Sequence, residues 1–170
     1  MKSILGKLSG GDLRSEGKAE EVAKEVIENL GLLPELLEGI KSEDKVIRGR
    51  TAMSLEIISR ENMKLLEESL PAIFELAEDT VPQVRWHIAE ILGRIEKYNE
   101  KDLRETVALL SDYLKDESMI VRGNSILALA DIAQRETGVR EEIISKIESM
   151  RGDKSAGVRR RAERVLKKVR

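Results

Sequence analysis

Few residues in this chain are equipped for chemistry. There is one histidine, His87, and no cysteine. Thiolate nucleophiles, disulfides and cysteine-held metals are therefore excluded, and a reducing, cytoplasmic setting fits. Adjacent carboxylates occur at Glu20-Glu21, Glu67-Glu68 and Glu141-Glu142. On helices such pairs read as solvated like charges. No HExxH, G-x-S-x-G, phosphate-loop or dinucleotide glycine pattern is present. Gly10-Gly11 and Gly31 read as turn or cap residues. The expectation is a non-enzymatic protein with no catalytic residue, no metal and no cofactor.

The elements behind these residues are legible from a repeat. Arg48, Arg85, Arg122 and Arg159 recur at a period of 37 residues. Each is preceded by an aliphatic residue (Ile47, Val84, Val121, Val158) and followed seven positions later by leucine (Leu55, Leu92, Leu129, Leu166). Ile58, Ile95, Ile132 and Val169 follow at ten. A repeat of this length means stacked helix pairs. The spacing predicts A helices over 32–41, 62–78, 101–115 and 139–150, and B helices over 45–60, 82–97, 119–135 and 156–169. Positions −1, +3, +6, +7 and +10 from each arginine share one helix face and form the core. Asp44, Ser118 and Ser155 are the expected N-caps of three B helices, and Pro82 opens the fourth. Pro34 and Pro71, also 37 apart, stand in a first helical turn or kink the A helices alike.

The fold class is accordingly all-α, a right-handed α-solenoid of about four helix pairs behind an N-terminal cap. Residues 1–170 form a single domain in this reading: a degenerate cap at 1–31 and repeats at 32–61, 62–98, 99–136 and 137–170. In the cap, Ile4, Leu5 and Leu8 mark a short amphipathic stretch, and a helix is expected near 17–30.

Composition agrees. Aromatic residues are 2% of the chain and charged residues 36%, so the core is aliphatic and helix-compatible. No apolar run approaches the roughly 20 residues that span a bilayer, and the opening MKSILGKLSGGD is too short in apolar residues for a signal peptide. Abundant Glu and Lys with few Asn and Gln is a balance seen in thermophiles. Net charge is −2, yet residues 151–170 carry nine Lys/Arg against Asp153 and Glu163. That end is thus +7 and the remainder −9. It reads as a solvated cap on the last repeat or as a contact site.

The motif Asp-x4-Val-Arg, continued by Ala and Leu at helical spacing, resembles HEAT repeats, especially the short class found in prokaryotic proteins. It reads Asp79…Val84-Arg85…Leu92, Asp116…Val121-Arg122…Leu129 and Asp153…Val158-Arg159…Leu166. The first unit has Ser42 in the aspartate place. The resemblance covers about residues 32–170. It implies a ladder in which Asp79, Asp116 and Asp153 pair with the repeat arginines. Some relatives are enzymes: an iron hydroxylase with paired His-Glu dipeptides, a bilin lyase and an excisor of alkylated bases. His87 is followed by Ile88, so the dipeptide ligand set is absent.

In a HEAT-like stack the B helices line the concave side. Positions +2, +5 and +9 are then expected to face out. They are Arg50, Met53 and Ile57; His87, Glu90 and Arg94; Asn124, Leu127 and Asp131; Arg161, Arg164 and Lys168. Trp86, flanked at equivalent places by Gly49 and Gly123, either lies across the groove or packs between helix starts. Tryptophan is enriched at interface hot spots. The functional expectation is a scaffold or adaptor binding a protein or peptide through Arg50, Met53, Ile57, Trp86, His87, Glu90, Arg94, Asn124, Leu127, Arg161, Arg164 and Lys168. Two alternatives stay open: nucleic-acid binding through the basic last repeat, and a lyase or other enzyme subunit.

Overall fold

The computed structural model describes residues 3–170, and among these no strand forms. The chain packs as two compact units, one reaching Ile91 and one running from Leu92 to Arg170.

The first unit opens with α1 (Ile4–Leu8) and α2 (Ala19–Glu28). The chain then enters α3 (Leu33–Glu38) through a 3₁₀ turn, and α4 (Lys45–Asn62) follows. Next come α5 (Leu70–Glu75) and α6 (Pro82–Gly93), the last of which carries the division between units. The second unit holds α7 (Glu100–Tyr113), α8 (Met119–Arg135), α9 (Arg140–Ser149) and α10 (Ala156–Val169).

The B helices α4, α6, α8 and α10 start where the repeat places them. Asp44 accepts from Val46 N at 2.8 Å and Ser118 from Val121 N at 3.4 Å. Ser155 departs from expectation. Its side chain makes no cap bond, its Oγ instead lying 3.7 Å from Met119 Sδ. The turn before α10 is held by Asp153 Oδ1, which accepts from Ser155 N at 2.7 Å.

The A helices are less regular than the periodicity predicts. Pro34 and Pro71 sit in the first turn of α3 and α5, and a proline has no N–H to return to the preceding turn. The residues before Leu70 therefore wind as 3₁₀ helix from Met63 to Ser69. The helix expected over 62–78 is in fact 3₁₀, α and 3₁₀ in succession.

The predicted core face is buried. Val84, Ile88, Ile91, Leu92 and Ile95 are all at most 2% exposed, and Val121, Ser125, Ala128, Leu129 and Ile132 at most 3%. Burying each large aliphatic side chain contributes about 1.5–3 kcal/mol. Ser125 is satisfied within its own helix, its Oγ donating to Val121 O at 2.8 Å.

The arginine ladder fixes the helix starts. Arg48 Nε donates to Asp79 Oδ2 at 2.6 Å, and its Nη1 to Ser42 O at 2.9 Å. Asp79 also accepts from Val81 N at 2.8 Å, so one carboxylate closes its own turn and receives the arginine of the preceding repeat. In the second unit Arg122 joins Asp153 in the same way and donates to Asp116 O at 2.8 Å. Arg85 and Arg159 donate to Asp79 O and Asp153 O, each at 2.6 Å.

Candidate partner-binding surface

In the first unit the B-helix residues are approached by the chain's own segment between α1 and α2. The periodicity places Arg50 on the outward face, but it is 5% exposed. Its guanidinium donates to the carbonyls of Leu8 (2.8 Å), Gly10 (2.7 Å), Asp12 (3.2 Å) and Ser15 (3.3 Å). A chain turning through Gly10 (φ 83°) and Gly11 (φ 73°) directs several carbonyls inward at once. A buried guanidinium with five donors satisfies them. Arg50 therefore holds this segment.

Gly49, one position earlier, is where Leu13 lands: a Cβ there would collide with the Leu13 side chain. Gln83 Nε2 adds a bond to Leu13 O at 3.2 Å. The space beside Trp86 that Gly49 leaves is thus taken by Leu13. The indole meets the His87 ring edge-on, with centroids 5.7 Å apart.

Two of the clefts beside this segment involve the expected contact residues. One, of about 530 Å³, runs between α2 and α4. Ile27, Met53 and Ile57 supply its apolar walls, and Glu16, Glu20, Glu28 and Glu61 its rim. Lys24, at 2.9 Å from Glu20, hydrogen-bonds that carboxyl and holds it below the usual range. The second, of about 440 Å³, is bordered by Leu13, Met53, Gln83, Trp86 and His87. The two adjoin at Glu16 and Met53. Of the expected contact residues, Met53, Ile57, Trp86 and His87 are half-buried and line these clefts.

Glu90 is also half-buried and faces His87, Oε2 to Nδ1, at 3.7 Å. Glu56, whose carboxylate is 2% exposed, pairs with Arg60 Nη2 at 2.7 Å. One ligating atom from each of Glu56, His87 and Glu90 falls within 4.8 Å of the others.

In the second unit Arg94, Leu127 and Arg161 are half-buried, while Arg164 and Lys168 are exposed. Asn124 is buried at 9%, and its Oδ1 lies 3.4 Å from Arg161 Nη1. Gly123 gives Arg161 its room. Asp131 is exposed, yet partial desolvation pushes its carboxyl up, against the pull of Arg135, Arg94 and Lys168.

Sequence reasoning missed Leu13, Gln83 and Glu56. Leu13 lies outside the repeat, Gln83 stands before the motif arginine, and Glu56 sits in the segment between two core leucine-like positions. Only Gly49 carried a signal, as a residue with no side chain where its neighbours' helices have one or need room.

The model of HEAT repeats matches residues 33–104. No curated protein matches the chain. Among solved structures, the complex of CpcE and CpcF of phycocyanin lyase from Nostoc sp. PCC7120 is similar at 18% identity and TM-score 0.75, over 95% of both chains. A designed armadillo repeat protein in complex with the peptide (KR)4 is similar at 19% identity and TM-score 0.70, over 98% of this chain and 72% of that one. Cex1p is similar at 17% identity and TM-score 0.63, over 98% of this chain and 34% of that one. At such identities the likeness is one of fold. Residues 33–104 thus match HEAT repeats, and the chain shares the all-α repeat fold of these structures.

Proposed function

We propose that this protein is a scaffold whose first unit receives a basic, apolar-bearing segment of a partner protein. The carrying observation is the trough along α4: Ile27, Met53 and Ile57 at its walls, with Glu16, Glu20, Glu28 and Glu61 outnumbering Lys24 and Arg60 around them. Apolar walls under a rim with a net negative charge favour a partner with apolar anchors between lysines or arginines. The face also holds a non-helical segment already, since Arg50 and Gln83 bind main-chain carbonyls of residues 8–15. The designed armadillo protein of similar fold is bound to (KR)4, a peptide of that charge.

Trp86 is the only tryptophan and borders the adjoining cleft, so its fluorescence reports occupancy. Peptides alternating leucine with lysine, and leucine with glutamate, are titrated into the protein. The lysine series binds, weakens with salt, and loses at least about tenfold on Met53→Lys, which removes an anchor wall and adds a like charge. Equal binding of the glutamate series, or indifference to Met53→Lys, defeats the proposal.

Nucleic-acid binding has its own support in the second unit. Arg160, Arg164, Lys167 and Lys168 are exposed on α10. Phosphate contacts there predict affinity falling steeply with log salt, by about 0.9 per phosphate for duplex DNA. Affinity unchanged between low and moderate salt removes that reading. The likeness to a phycocyanin lyase complex supports the lyase-subunit alternative, which a bilin absorbance shift on mixing tests.

A further inference from the structure

We infer that Glu56, His87 and Glu90 form a site for one divalent first-row metal ion, of the zinc or manganese kind. Glu56 comes from α4, and His87 and Glu90 from one face of α6, so the ion would tie two successive B helices together.

Three observations support this. The first is the convergence of one ligating atom from each residue within 4.8 Å. Bonds of about 2.0–2.1 Å in a tetrahedron put ligand atoms about 3.3 Å apart. The Nδ1–Oε2 separation of His87 and Glu90, 3.7 Å, is close to that edge and too long for a hydrogen bond. Ligation requires the wider separations, up to 4.8 Å, to close by side-chain rotation.

The second observation is the imidazole. His87 Nδ1 is buried and has no hydrogen-bond partner, a costly condition for a polar atom. Its lone pair, in the neutral tautomer protonated on Nε2, is what a metal takes. The third is charge. The Glu56 carboxylate is 2% exposed and meets Arg60 through Oε2. A carboxylate offers about four lone-pair directions, so that ion pair leaves ligation possible. One imidazole with two carboxylates suits zinc or manganese, whereas calcium takes six to eight oxygens.

The sequence hides this set. Glu56 and His87 lie 31 residues apart, in different repeats, and only the i, i+3 pair of His87 and Glu90 is local.

The test is calorimetric titration of the full chain with zinc chloride near pH 7.5, repeated with cobalt(II) while recording its visible spectrum. One ion binds per chain, cobalt shows the bands of a four- or five-coordinate ion, and the thermal midpoint rises with metal concentration. His87→Gln and Glu90→Gln each weaken binding at least about tenfold, and Glu56→Gln does so where it folds. Absence of stoichiometric binding overturns the site, as does equal affinity in His87→Gln. Because the readout is metal and needs no peptide, its failure leaves the partner proposal standing, and the reverse.

Discussion

Arg122 and Asp153, 31 residues apart in sequence, meet through two parallel hydrogen bonds: Nε to Oδ2 at 2.8 Å and Nη2 to Oδ1 at 2.9 Å. Their side chains are 4% and 8% exposed. Such a fork fixes orientation as well as distance. The same guanidinium also donates to Asp116 O and Glu117 O, at the turn before its own helix. One side chain thus sets the start of α8 and its register against the turn before α10.

Removing Arg122 strands a buried carboxylate, so Arg122→Ala should cost about 3–5 kcal/mol. Arg48, in the equivalent place of the first unit, is 19% exposed, and water can replace part of what it gives. Arg48→Ala should therefore cost less. Guanidinium unfolding followed by circular dichroism gives both values. A smaller loss for Arg122→Ala than for Arg48→Ala would show that burial does not set the strength of these pairs.

The ladder also makes stability depend on acid. Burial would raise Asp153, but the Arg122 guanidinium and the Ser155 N–H together hold its carboxyl below the usual range. A carboxylate whose folded value is depressed stabilises the protein at pH above its unfolded value, about 3.9. That contribution fades as pH falls through the lower folded value. Melting temperature should thus decline below about pH 4, and in Asp153→Asn the decline should be shallower. An unaltered acid slope in Asp153→Asn would assign the acid sensitivity to other carboxylates.

These features were unequally visible in the sequence. The ladder and the B helices were legible because each repeat restates them: a residue type seen four times at one spacing constrains the backbone four times. The A helices were less so, because Pro34 and Pro71 act through a missing N–H whose effect on the preceding residues is 3₁₀ winding, which has no pattern of its own. The trough was half legible. Met53, Ile57 and Trp86 lie on the predicted face, but Arg50 departs from it because residues 8–15 lie outside the repeat and supply carbonyls that no periodicity announces.

Two helical glycines should respond differently to a methyl group. A Cβ at Gly93 would lie 2.8 Å from Ala128 Cα, main-chain atoms that yield only if a helix moves. A Cβ at Gly123 would meet the end of the Arg161 side chain, which can swing away. Gly93→Ala should cost about 1–3 kcal/mol through overpacking. Gly123→Ala should be near neutral or mildly stabilising, since alanine is the better helix former by about 1 kcal/mol. Thermal melts of the two variants distinguish these outcomes, and equal losses would contradict the difference in what each methyl meets.

Arg50 should govern whether the segment between α1 and α2 stays down. Its guanidinium donates to carbonyls of Leu8, Ser9, Gly10, Asp12 and Ser15, and hydrogen bonds from a charged donor contribute about 1.5–3 kcal/mol where buried. Arg50→Ala leaves these oxygens without their donor, so residues 9–17 should release while α4, with Leu55 and Ile58 fully buried, stays folded. Limited proteolysis should then cut within that segment, and hydrogen exchange should quicken around it but not in α8 or α10. Arg50→Lys should rescue little, because a single ammonium cannot reach carbonyls that the planar fork spans. A protease-resistant Arg50→Ala chain with unchanged exchange would show that Leu13 on Gly49 and the Gln83 bond suffice to hold the segment.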